Sequence, residues 1–181
     1  MCHNEPRKLG FWKKVKENSH LRGSAITVLA PMADVTDAAF RQIIGKYSRM
    51  GQGVTDAKKA GGPDVLWTEF VSADGLCSPG REVLLRDLAF EGGERPIVAQ
   101  LFTSHPEKMR QAAELVARLG FDGIDINMGC PDRSIEKQGA GAAMMKDPAR
   151  AVEVIRAAHE GAPNLPISVK TRVGYNKVEL E

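Results

Sequence analysis

Cys130 sits in a Gly129-Cys130-Pro131 turn directly after the alternating run Ile124-Asp125-Ile126-Asn127. Such a run reads as a β-strand with Asp125 and Asn127 on one face, and the turn ends it. A cysteine in a turn, outside any apolar run, is placed for reaction rather than for packing. An unperturbed thiol is mostly protonated at neutral pH and can donate a proton; tuned to a thiolate, it is a nucleophile. The residue pattern leaves both roles open. The loop that follows carries Gly139 and Gly141, which permit close backbone approach to a ligand. Lys170 and Arg172 lie two residues apart at the end of another apolar run, so as strand residues they share a face. Two cations on one buried face require a counter-charge, such as Asp125 or Glu69, or an anionic ligand. Cys77 reads as structural. Cys2-His3 has no second pair at metal-ligand spacing, so no metal site is expected.

The elements that must position these groups alternate. Strands are expected at 26–30, 65–71, 97–102, 123–127 and 167–172. A helix capped by Thr36 buries Phe40, Ile43, Ile44 and Tyr47, followed by a loop over 51–62. Pro106 opens a second helix, with Met109, Ala112, Leu115, Val116 and Leu119 as its stripe and Gly120 as its C-cap. Asp147 caps a third, with Val152, Ile155 and Ala158 inward and Gly161 at its end. The segment 82–90 fits neither a helix nor a strand pattern clearly. Strands alternating with helices predict a parallel sheet. No G-x-G-x-x-G fingerprint follows the first strand, which disfavours a dinucleotide-binding doubly wound sheet. The expected fold is α/β, of the (β/α)8 TIM-barrel type. Such barrels take about 250 residues. With 181 residues, the chain is expected to be truncated to about the first five β/α units. Its first and fifth strands would then be open edges. Every candidate group lies at a strand's C-terminal end, where such barrels carry chemistry.

Bulk properties narrow the class. Apolar residues make up 43% and charged residues 27% of the chain, ordinary for a globular domain. The net charge of +2 is too small to argue for nucleic acid by itself. Three widely spaced cysteines fit no disulfide framework and suit a reducing, cytoplasmic setting. No apolar run reaches membrane-spanning length. Residues 1–25 are locally basic and are expected to be a flexible arm, with residues 26–181 forming the partial barrel domain.

Five segments together resemble the tRNA-dihydrouridine synthase family: Ala30-Pro31-Met32-Ala33-Asp34-Val35-Thr36-Asp37, Thr68-Glu69-Phe70-Val71-Ser72-Ala73, Val98-Ala99-Gln100-Leu101-Phe102, Asp125 to Pro131 with Gly139-Ala140-Gly141, and Val169-Lys170-Thr171-Arg172. Asp34 stands where many members have glycine. The resemblance implies an FMN-binding barrel that uses NADPH to reduce the C5=C6 bond of uridine in tRNA. It implies flavin contacts from Pro31, Met32, Ala33, Gln100, Asn127 and Lys170, uracil or tRNA contacts from Asn127 and Arg172, and Cys130 as general acid. It also implies that the later barrel strands, with the loops that bind the FMN phosphate, and a helical tRNA-binding domain lie outside this chain. The rival readings are a non-catalytic fragment of this family and another FMN barrel acting on a free pyrimidine.

Overall fold

The computed structural model describes residues 10–19, 25–50 and 62–176. All but the last residue of the expected loop at 51–62, the pair Cys2-His3 and the basic residues Arg7, Lys8 and Arg22 lie outside them. In chain order the elements are α1 (Phe11–Asn18), β1 (Val28–Leu29), α2 (Ala38–Met50), β2 (Val65–Ser72), α3 (Ala73–Leu76), α4 (Arg81–Leu84), a 3-10 turn at Gly92–Glu94, β3 (Ile97–Phe102), α5 (Pro106–Leu119), β4 (Gly123–Met128), α6 (Arg133–Glu136), a 3-10 turn at Gly141–Lys146, α7 (Pro148–Gly161) and β5 (Ile167–Thr171). The five strands are all parallel and pair in sequence order, β1-β2-β3-β4-β5. The sheet curls into a half-barrel, and this bears out the expected truncated barrel architecture.

Alternation divides each strand between two environments. Ile97, Ala99 and Leu101 of β3 and Ile124, Ile126 and Met128 of β4 face outward, onto Met109, Ala112 and Val116 of α5 and Val154, Ala157 and Ala158 of α7. The opposite face, the concave interior, carries Val65, Trp67 and Val98 at its lower end. Farther up it carries Gln100, Asp125 and Asn127, three buried polar side chains. One extra residue in β2 keeps this division intact. Trp67 pairs with Val98 and Phe70 with Gln100, three residues against two, so a bulge lies between. Both Trp67 and Phe70 therefore face the interior.

Several local readings are corrected. The hydroxyl of Thr36 closes the preceding turn on Met32, and Asp37 caps α2 by accepting the Phe40 N–H at 2.7 Å. The apolar stripe of α2 is not buried: Ile43 is 55% and Tyr47 63% exposed. β1 has two residues and pairs with β2 alone among the described residues, so that side of α2 has no second layer. What anchors α2 is Arg41, fully buried, which donates to Glu94 Oε2 at 2.7 Å and to the carbonyls of Thr36 and Ala89. In α7 the buried residues are Val154, Ala157 and Ala158, while Val152 lies 44% exposed. The helix is rotated relative to the three-residue spacing because both flanks of its apolar face pack, one on α5 and one on the sheet. Gly120 does end α5 in the left-handed conformation, at φ 83°.

The stretch expected to be a flexible arm holds an ordered element. α1 lays Phe11 and Val15 against Val65, Trp67 and Val98 at the N-terminal end of the strands, and Trp12 stacks on Trp67 with ring centroids 6.2 Å apart. Its apolar residues 11, 12 and 15 fall on one helical face, a spacing present in the sequence but masked by the surrounding lysines. Val15→Asp is expected to detach this helix, because it places a charge among buried apolar side chains. The checks are a red shift of tryptophan emission as Trp67 becomes wet and a lower melting temperature. Unchanged emission overturns the docking.

Candidate active site

Because the sheet is parallel, the C-terminal ends of all its strands open on one rim. Pro31 to Asp34 follow β1 there, Thr103 to His105 follow β3, Gly129 and Cys130 follow β4, and Lys170 to Arg172 close β5. A row of hydrogen bonds crosses the interior just below. Ser168 Oγ donates to Asp125 Oδ1 at 2.6 Å. The Gln100 side-chain amide donates to Asp125 Oδ2, and the Asn127 amide donates to Gln100 Oε1 at 3.1 Å. Asn127 Oδ1 then accepts two backbone N–H groups, from Gly129 at 3.1 Å and Cys130 at 2.9 Å. Burial without partners makes such groups costly, and here each has one.

The Cys130 loop is pinned from its other side too. The Cys130 carbonyl accepts the Ala142 N–H at 2.8 Å. Gly141, at φ 61°, comes so close that a Cβ there would lie 2.7 Å from that carbonyl oxygen. Asp132 caps α6 by accepting the Ser134 N–H at 2.7 Å. Cys130 itself is half-buried, packed on the cluster of Phe102, Ile135 and Ala140.

Lys170 pairs in register with Asn127, and Ser168 with Asp125. Neither Lys170 nor Arg172 forms an ion pair with Asp125 or Glu69 among the described residues, so the expected counter-charge is not supplied that way. Asp125 is held by Ser168 and Gln100. Glu69 Oε1 accepts the backbone N–H of Asp34, and burial raises its pKa. That bond ties the Pro31–Asp34 turn to β2. Asp34 adopts φ 58°, a left-handed conformation that aspartate tolerates better than most residues. Of the expected flavin contacts, Met32 and Ala33 are exposed on the rim, whereas Gln100 is completely buried. Cys77 lies outside the barrel interior, its thiol donating to the Lys108 carbonyl at 3.6 Å and raised in pKa by burial.

A family model for dihydrouridine synthase matches residues 28–181. The chain belongs to the dihydrouridine synthase family. It is 42% identical over 153 residues to a probable tRNA-dihydrouridine synthase 2 of Bacillus subtilis, covering 84% of this chain and 42% of that protein. A probable tRNA-dihydrouridine synthase of Staphylococcus aureus is 38% identical over the same length and share, and one of Staphylococcus epidermidis is 37% identical. The chain thus spans 42% of the length of these relatives. The dihydrouridine synthase match includes every residue of the polar row and begins after α1.

Within this dihydrouridine synthase half-barrel, sequence reading named Gln100, Asn127, Cys130 and Lys170, and the structure brings the first three into direct hydrogen-bond contact. It missed Ser168 and Thr68, whose hydroxyl accepts the Gln100 backbone N–H at 3.1 Å. Period-two alternation from Lys170 back to Ser168 was the available signal. It also missed the rim pair Asp74 and His105, 2.7 Å apart. Among the described residues no cluster of metal-ligating side chains is present, and no helix is long and apolar enough to cross a membrane.

Burial holds the Asp125 carboxyl above its ordinary value of 3.8, against the lowering effect of Ser168, Gln100 and Lys170. A folded value above the unfolded one means that the folded state takes up the proton first as pH falls. Ionised Asp125 therefore costs stability at neutral pH, and acidification through the folded value relieves that cost. The carbon-13 shift of the Asp125 carboxyl is expected to titrate with a midpoint above 3.8. Stability relative to Asp125→Asn is expected to stay level from neutral pH down to near that midpoint and to rise as pH falls through it toward the ordinary value of 3.8. A midpoint at or below the ordinary value refutes the burial argument.

Proposed function

We propose that this chain carries the flavin-side half of a tRNA-dihydrouridine synthase site, in which FMN, reduced by NADPH, serves the saturation of the C5=C6 bond of a tRNA uridine. The observation that carries the reading is the placement of Cys130 on a loop pinned by Asn127 at the mouth of a parallel half-barrel, with Lys170 in register beside it. The printed names of the relatives point the same way.

The residues present fit a flavin. Lys170 is an exposed cation without an ion pair among the described residues, on the interior face beside Asn127, and it suits the electron-rich edge of a reduced isoalloxazine. The rim turn of Pro31, Met32 and Ala33 offers backbone contacts and is held rigid by Thr36 and Glu69. Gln100 keeps one amide hydrogen and one lone pair beyond its two bonds, and Asn127 one amide hydrogen. When bound, the flavin supplies the hydride that saturates C6 of the uracil. The proton for C5 comes from the Cys130 thiol, and the resulting thiolate regains a proton from solvent through the half-exposed loop. Arg172, exposed at the end of β5, suits a uracil carbonyl or a tRNA phosphate. The uridine has to leave its stack to reach this mouth.

The test is an absorbance spectrum of the 181-residue chain after incubation with FMN and desalting. Retained flavin bands are the expected result; a colourless chain overturns the reading for this chain. In a flavin-loaded preparation supplied with the complementary part of the barrel, Cys130→Ala is expected to keep the flavin and lose about 10²–10⁴-fold in tRNA uridine reduction. Retained activity sinks the general-acid role. Lys170→Ala is expected to weaken FMN retention or slow flavin reduction by NADPH, and unchanged values in both measurements refute its placement.

A further inference from the structure

We infer that Asp125 is a positioning residue whose carboxylate admits only the one direction of the interior hydrogen-bond row that the Cys130 loop requires, and so locks the row against reversal. The row has a sense. Backbone N–H groups only donate, so Asn127 must turn its carbonyl oxygen toward Gly129 and Cys130. Its amide nitrogen then faces Gln100, whose oxygen must accept. The Gln100 nitrogen is left facing Asp125, and an ionised carboxylate only accepts. Both ends of the row therefore demand the same sense. Asp125 and Asn127 lie on one face of β4 and communicate through Gln100 of β3. Ser168 of β5 fixes the second Asp125 oxygen by donating to it.

The inference deepens the proposed function and rests on it for the importance of Cys130, but its test needs neither flavin nor tRNA. Asn127→Asp keeps an acceptor for the two loop N–H groups and turns its second oxygen on Gln100 Oε1. If Gln100 rotates to avoid that contact, its own oxygen meets Asp125. Either way, with both carboxyls ionised, two oxygens oppose each other without a hydrogen between them, so the comparison is made well above neutral pH. Adding Asp125→Asn removes the conflict by reversing the row: the new amide at 125 donates to Gln100 Oε1, Gln100 donates to the carboxylate at 127, and the oxygen at 125 still accepts from Ser168. Asp125→Asn alone keeps the original sense, with its oxygen toward Gln100 and its nitrogen toward the Ser168 hydroxyl.

The experiment compares the wild-type chain, both single variants and the double variant by melting temperature and by hydrogen exchange at the Gly129, Cys130 and Ala142 amides. Asn127→Asp is expected to lower the melting temperature and to speed exchange at Gly129 and Cys130 at least tenfold. The double variant is expected to return both readouts to within about threefold of wild type, a non-additivity that simple loss of packing does not produce. Should Asn127→Asp not fold, folding of the double variant is the same suppression. Additive damage in the double variant, failure of the double variant to fold, or a wild-type-like Asn127→Asp overturns the inference. Suppression in a chain that binds no FMN leaves the inference standing and counts against the enzymatic reading alone.

Discussion

A carboxylate that only accepts hydrogen bonds and two backbone N–H groups that only donate them stand at opposite ends of the polar row inside this half-barrel. Between them, two side-chain amides have a single self-consistent orientation. This constraint joins β3, β4 and β5 across their concave face at the level where an apolar interior would otherwise begin. It also converts strand geometry into loop geometry: the row ends on main-chain atoms of the turn that carries Cys130. Cys130 is thus held through its backbone, while its side chain rests on a small apolar cluster of Phe102, Ile135 and Ala140.

The interior has two storeys with different physics. The lower is apolar, built from Val65, Trp67 and Val98 and closed from below by Phe11 and Val15 of α1. The upper is polar and bordered by the exposed cations of β5. A dry lower layer strengthens the bonds of the layer above by keeping water from competing for their partners. The helix that supplies this floor lies outside the residues that match the family model, whereas the polar row and the strand residues Val65, Trp67 and Val98 lie inside them.

Much of this was legible in the sequence, and what was not has identifiable causes. β3 and β4 were clear because continuous apolar or alternating runs were bounded by proline and glycine. The caps of α5 and α7 followed from Pro106, Gly120, Asp147 and Pro148. Cys130 stood out by its turn, and Gln100, Asn127 and Lys170 by their positions at strand ends and their family resemblance. The inward face of α2 was misread because its spacing pointed to Ile43 and Tyr47, whereas a charged residue, Arg41, is the one buried against Glu94. No local pattern announces an ion pair between residues 53 apart. The α1 helix was overlooked because its apolar face is only three residues wide among lysines. The sequence offers Asp125 only as one possible counter-charge, beside Glu69 or an anionic ligand, because charge is visible in a sequence, whereas the direction of an amide hydrogen bond is not.

The extra residue in β2 carries a further consequence. Regular alternation would put residues 67 and 70 on opposite faces, yet both are aromatic and both point inward. The bulge acts as a phase shifter: below it the strand counts in one parity, above it in the other. Where the ladder slips, a hydroxyl stands in for a main-chain partner, with Thr68 accepting the N–H of Gln100, and Glu69 is released toward the first strand's turn. If the bulge were ironed out with the extra residue kept, every side chain above the break would exchange faces, whereas deleting that residue would leave both aromatics inward on a regular strand. The bulge, and not the local hydrophobicity, therefore decides which face the upper half of the strand presents.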